Sequence, residues 1–179
     1  MQFFYLGVVL TVGLVFAAAV VGKLRSRRPG EELSTTIEAI TALPPRVVRG
    51  IARLVLGGET AVVMLLALPP ARPWGLALAA VLLAAFALAV GLSVHRGART
   101  RCACFGSSGP VLRPRHAWRN AALAVAAGLA LTLHLLHTGP ASLPMTAVPL
   151  LVVCAGALAV IFIRLDDLLT LVGDAAPDS

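Results

Sequence analysis

The chain of 179 residues is 59% hydrophobic and only 13% charged, with a mean hydropathy of +0.92. Soluble domains carry about 25% charged residues, so this composition excludes intrinsic disorder and argues against a soluble enzyme of ordinary make-up. The net charge of +7 comes from 15 Lys+Arg against 8 Asp+Glu. Most of the basic residues cluster between apolar runs, a pattern that orients membrane proteins and touches anionic headgroups. Aromatics are few, so no stacking platform for nucleic acid is present. The expected partner is the lipid bilayer, and no nucleic acid is expected.

Taken in order, the runs predict five membrane spans in one domain over residues 1–172, with a frayed tail at 173–179. Phe3–Gly22 is the first span, closed by Lys23, Arg25, Arg27 and Arg28 and then Pro29-Gly30. No basic residue precedes Lys23, and the run exceeds a signal-peptide core, so it is predicted to be retained. Leu33, Ile37, Ile40 and Leu43 share one helical face. They predict an interfacial amphipathic helix over Glu31–Leu43, stopped by Pro44-Pro45. The second span is Ile51–Leu68. A turn through Pro69, Pro70 and Pro73 leads to the third, Trp74–Val94, with Trp74 as an interface anchor. A polar loop from His95 to Ala117 follows, then the fourth span, Trp118–Leu136, and the fifth, Met145–Ile163. A lipid-embedded run must satisfy its own backbone polar groups, so the fold class is all-α, a polytopic transmembrane bundle.

Arginines fix the predicted orientation in the cell membrane. Lys23, Arg25, Arg27, Arg28, Arg46 and Arg49 lie between the first two spans, and Arg96, Arg99, Arg101, Arg113 and Arg115 between the third and fourth. The two opposite connections hold only Arg72. The positive-inside rule then puts the N-terminus outside and the loop after the third span in the cytoplasm.

That loop carries Thr100-Arg101-Cys102-Ala103-Cys104-Phe105-Gly106. Cysteines two apart in an extended chain sit near or beyond the span of an ideal disulfide, so the chain must kink to join them. A strained, exposed disulfide exchanges readily, which suits a redox relay better than a staple. Arg99 and Arg101 favour the thiolate form that attacks disulfides. Two idle reduced thiols are the bland reading. A metal site would want three or four ligands, and His95 and His116 stand at irregular spacing, so no metal is expected. The odd cysteine, Cys154, lies in an apolar run and reads as a small packing residue.

Glu59 is an ionisable group inside the second span, about 12 Å past Ile51 at 1.5 Å per residue. It reads either as a proton handler beside a thiol or as a structural carboxylate paired with an inward-dipping arginine such as Arg53 or Arg119. Lys23 reads first as a headgroup residue and otherwise as a partner for Glu59. Gly57-Gly58 reads as a place of close helix approach, and Asn120 as helix glue. His134 and His137 read as interface residues. No phosphate-binding or dinucleotide fingerprint and no Ser-His-Asp arrangement occurs, so no cofactor is expected.

Several of these elements together resemble one family. Gly22-Lys23-Leu24-Arg25, Leu43-Pro44, Glu59, Cys102-Ala103-Cys104-Phe105-Gly106 and Arg119-Asn120 are similar to the pattern of the methylamine-utilisation MauE proteins, relatives of the DoxX-like membrane proteins. The resemblance covers roughly residues 3–137, and the Cys-x-Cys-Phe-Gly element is its specific part. Ile40-Thr41-Ala42 departs from it, since an aromatic is common there. The resemblance implies a four-helix core with one additional helix. It also implies Cys102 and Cys104 as a redox pair, working beside a thioredoxin-like partner in disulfide formation during methylamine dehydrogenase maturation. Family members occur where no such dehydrogenase is obvious, so the client stays open. The expected function is a membrane thiol–disulfide oxidoreductase or redox accessory. The alternatives are a non-catalytic membrane assembly factor and a small-solute or proton transporter centred on Glu59. Maturation points outside the cell while the arginines place the thiols inside; either a partner completes the path or the pair works with cytoplasmic thiols.

Overall fold

The structure, a computed structural model, describes residues 2–25, 44–95, 114–136 and 145–173, with side chains described at all of these except 145 and 165–173. These residues form five helices: α1 (Gln2–Arg25), α2 (Pro45–Ala67), α3 (Arg72–His95), α4 (Pro114–Leu136) and α5 (Val148–Gly173). Short 3₁₀ turns at Pro69–Ala71 and Met145–Ala147 precede α3 and α5. The predicted amphipathic helix at Glu31–Leu43, the Cys102–Cys104 loop and the end of the tail lie outside the described residues.

Local chemistry accounts for the helix ends. Lys23 and Arg25 stand in the last turn of α1, where a cation complements the helix dipole. Pro45 opens α2 as its first residue, a position where the missing N–H costs nothing. The Pro44 carbonyl accepts from the Val47 and Val48 amides at 2.9 and 3.2 Å. Leu68, preceding a proline, is forced extended at φ −93°, ψ 114° and ends the helix. The chain then reverses tightly, with the Ala71 amide donating to the Leu68 carbonyl at 2.9 Å. Gly75 makes that reversal possible, because a Cβ there would sit 2.8 Å from Leu66 Cδ2.

Four helices close a ring: α1 packs on α2, α2 on α3, α3 on α4 and α4 back on α1. The α3–α4 pairing is the most extensive, and α5 packs chiefly on the outside of α1. A four-helix core with one added helix is therefore what the chain forms. Val9, Val12, Val15 and Phe16 of α1 meet Val62 and Leu66 of α2, Leu76, Ala79 and Leu83 of α3, and Leu123, Ala127 and Ala130 of α4. The steps of three and four mark one face per helix. Alanines at 79, 127 and 130 let the backbones approach closely.

The outer faces are apolar too: Leu54, Trp74, Val81, Leu88, Trp118, Val125 and Leu136 are exposed. A helix apolar on every side belongs in lipid. Among the described residues four helices are long and apolar enough to cross a membrane, Gln2–Arg25, Pro45–Ala67, Pro69–His95 and Pro114–Leu136. Val148–Arg164 is a shorter apolar helix. The chain is a membrane protein built from these helices.

Candidate functional site

Helix register builds the site. An ideal Cβ on Gly13 would lie 3.8 Å from Leu66, and Lys23 lies level with Glu59, so α1 and α2 run antiparallel. The first turns of α2 project past the end of α1. There Arg46, Arg49 and Arg53 are exposed while Val48 and Ala52 are buried, an amphipathic start expected at a membrane boundary. Arg49 Nε folds back on the Pro45 carbonyl at 3.3 Å.

Where α1 ends, Lys23 Nζ donates to Glu59 Oε1 at 2.5 Å and to Oε2 at 2.7 Å. Lysine is 6% exposed and glutamate 2%. Both charges have left water, and such burial is tolerated only because each group has the other. This corrects the expectation of an arginine partner. Arg53 points outward, and Arg119 Nη1 donates instead to the Phe162 carbonyl at 2.8 Å, tying α4 to α5. Lys23 is likewise no headgroup residue. Two sequence signals pointed to it: it is the single lysine of the chain, and Glu59 is the single acid between residues 39 and 165.

A cavity of about 30 Å³ adjoins the pair, lined by Val15, Phe16, Ala19, Glu59, Leu83, Phe86 and Asn120. That exceeds the roughly 10–15 Å³ one water needs. Asn120, expected as helix glue, lines this cavity. Ser93, His116 and Arg119 are buried as well, near the last turn of α3 and the first turns of α4. Ser93 Oγ donates to the Ala89 carbonyl at 2.6 Å. The buried polar side chains thus gather at one end of the bundle, with Thr11 of α1 apart from them. The chain leaves that same end at His95 and re-enters it at Pro114. Cys102 and Cys104 belong to the intervening segment, outside the described residues, so the structure does not bring either together with Glu59.

The remaining predicted residues divide. Gly58 abuts Leu82 of α3, whereas a Cβ on Gly57 would meet nothing within 4 Å, so close approach uses one glycine only. Cys154 is exposed and free, which corrects its reading as a packing residue. His134 stacks on Tyr5 with ring centroids 4.6 Å apart. Among the described residues no group of three His, Cys, Asp or Glu could hold a metal.

Comparison with known proteins gives one match. The family described as methylamine utilisation protein MauE matches residues 1–135, all of α1 to α3 and nearly all of α4. No curated protein and no solved structure matches the chain. With three quarters of its length covered, and with the ring of four membrane helices lying within the match, the chain belongs to the MauE family.

Proposed function

We propose that the chain is an integral-membrane thiol–disulfide redox accessory whose working groups are Cys102 and Cys104. One cysteine thiolate attacks a disulfide of a thioredoxin-like partner, forming a mixed disulfide and releasing one partner thiolate. The second cysteine then attacks the mixed disulfide, leaving a Cys102–Cys104 disulfide here and a dithiol on the partner. Two electrons pass to the partner, and the same path in reverse oxidises it. The family membership suggests a client in methylamine utilisation.

One observation carries this reading. The two helices flanking the Cys-x-Cys segment, α3 and α4, make the most extensive pairing of the bundle, and the segment leaves and re-enters the bundle at the end where the buried polar side chains gather. A buried carboxylate near the points where that segment leaves and re-enters the bundle supports proton-coupled thiol exchange at this end. We place Glu59 as a proton-handling residue at that end, held by Lys23 beside a water-sized cavity. The arginine distribution favours a cytoplasmic position for the thiols.

Trapping tests the proposal. Cys102→Ala and Cys104→Ala variants, expressed at native level and quenched with acid, are separated without reductant. One of them is expected to carry a covalent, dithiothreitol-sensitive partner of thioredoxin size. If neither variant captures a partner while both support function, the redox reading is wrong. A double variant that works while deletion of residues 98–110 does not would establish the assembly-factor alternative. Loss of solute flux in Glu59→Gln with dispensable cysteines would establish the transporter.

A further inference from the structure

The opposite end of the bundle holds a cleft that thiol chemistry does not use. Between α1, α2 and α5 lies an apolar space of about 500 Å³, walled by Leu6, Leu10, Leu14, Val63, Leu151 and Val152. Ligand sites run about 300–1,000 Å³. Arg72, the first residue of α3, is half-buried on its lining. Its Nε donates to the Leu66 carbonyl at 3.3 Å, and an arginine has four further N–H donors.

Among the described residues no carboxylate pairs with this arginine. Residues 1–30 and 60–165 contain no Asp or Glu, and those stretches include every helix end and connection on the Arg72 side. Glu59 is already engaged by Lys23 at the other end. An arginine at a helix end reaches the headgroup layer, where lipid phosphates are the anions within its range. Trp74, two residues on and 74% exposed, marks the headgroup level where such an anion resides. The cleft below is apolar and opens between helices that lipid surrounds.

We infer that this cleft holds one acyl chain of an anionic glycerophospholipid, whose phosphate is bound by Arg72. A single cation near the surface supports about a fivefold preference for an anionic over a zwitterionic headgroup.

The test uses the full chain purified in neutral detergent and offered equal phosphatidylglycerol and phosphatidylcholine of identical acyl chains. Native mass spectrometry reads the lipid retained. One phosphatidylglycerol is expected per chain at about fivefold preference, falling to parity in Arg72→Gln and kept in Arg72→Lys. Val152→Trp, which fills the open wall of the cleft, is expected to lose both lipids. Equal retention of the two lipids by the unaltered chain overturns the inference, as does a preference surviving in Arg72→Gln or lipid retained in Val152→Trp. Should Arg72→Gln fail to fold, the unaltered chain and Val152→Trp still decide.

Discussion

Replacing Lys23 by Met removes the cation bonded to a carboxylate that is 2% exposed. Two charge-assisted hydrogen bonds, at 2.5 and 2.7 Å, disappear together. Each contributes about 1.5–3 kcal/mol net, and the carboxylate left behind has lost its water as well. Breaking a buried pair from one side costs about 3–5 kcal/mol. Glu59→Leu, which strands the ammonium, is expected to cost a similar amount. The double variant Lys23→Met/Glu59→Leu strands nothing, and apolar replacement of a buried pair is about neutral or stabilising. The two single losses therefore do not add. Equilibrium unfolding of the four purified proteins in mixed micelles, titrated with a denaturing detergent, reads all of these values. A cost below about 1 kcal/mol for either single variant, the range of an exposed bridge, would refute the reasoning. So would a double variant as unstable as the sum of the singles.

Further outcomes follow from the helix contacts. Gly75→Ala drives a Cβ to 2.8 Å from Leu66 Cδ2 and 3.1 Å from Leu65 Cβ, and is expected to destabilise by about 1–3 kcal/mol. Gly57→Ala, with nothing within 4 Å, is expected to stabilise by about 0.5–1 kcal/mol through helix propensity; thermal unfolding compares the two. Arg119→Gln removes the bond to the Phe162 carbonyl at a cost of about 1.5–3 kcal/mol. Hydrogen exchange is expected to rise in α5 well before it rises in α1 to α4.

The five helices were legible in the sequence because lipid leaves an apolar run no other conformation. Their ends were less so, for a physical reason. Arg46 and Arg49 made the start of α2 read as loop, and the helix was placed from Ile51. In the structure these arginines take the outer face of a helix already begun at Pro45, with Val48 and Ala52 inside. Pro114, Arg115 and His116 hid the start of α4 in the same way, although His116 is buried at 4% exposure. The closing of the ring, with α5 outside it, depends on which faces fit. Runs apolar on every side do not encode that.

The site was half legible. Glu59 stood out as a lone acid in an apolar run, while Arg53 and Arg119 competed with Lys23 as its partner and Lys23 read first as a headgroup residue; the structure selects Lys23. The count from Ile51 ran along one helix and carried no information on which turn of α1 lies beside Glu59. Helix α2 overhangs α1, and that overhang brings the last turn of α1 level with Glu59. Cys102 and Cys104 are a reading of sequence and family alone, and the proposed chemistry rests on them.

Redox titration of that pair therefore decides most. The purified full chain is equilibrated with glutathione buffers, quenched with acid, alkylated, and the peptide carrying both cysteines is weighed. A single two-electron transition, with both sulfurs blocked or both alkylated together, is the expected result. Two cysteines alkylated in every buffer, or each oxidised independently of the other, would contradict a working Cys102–Cys104 pair.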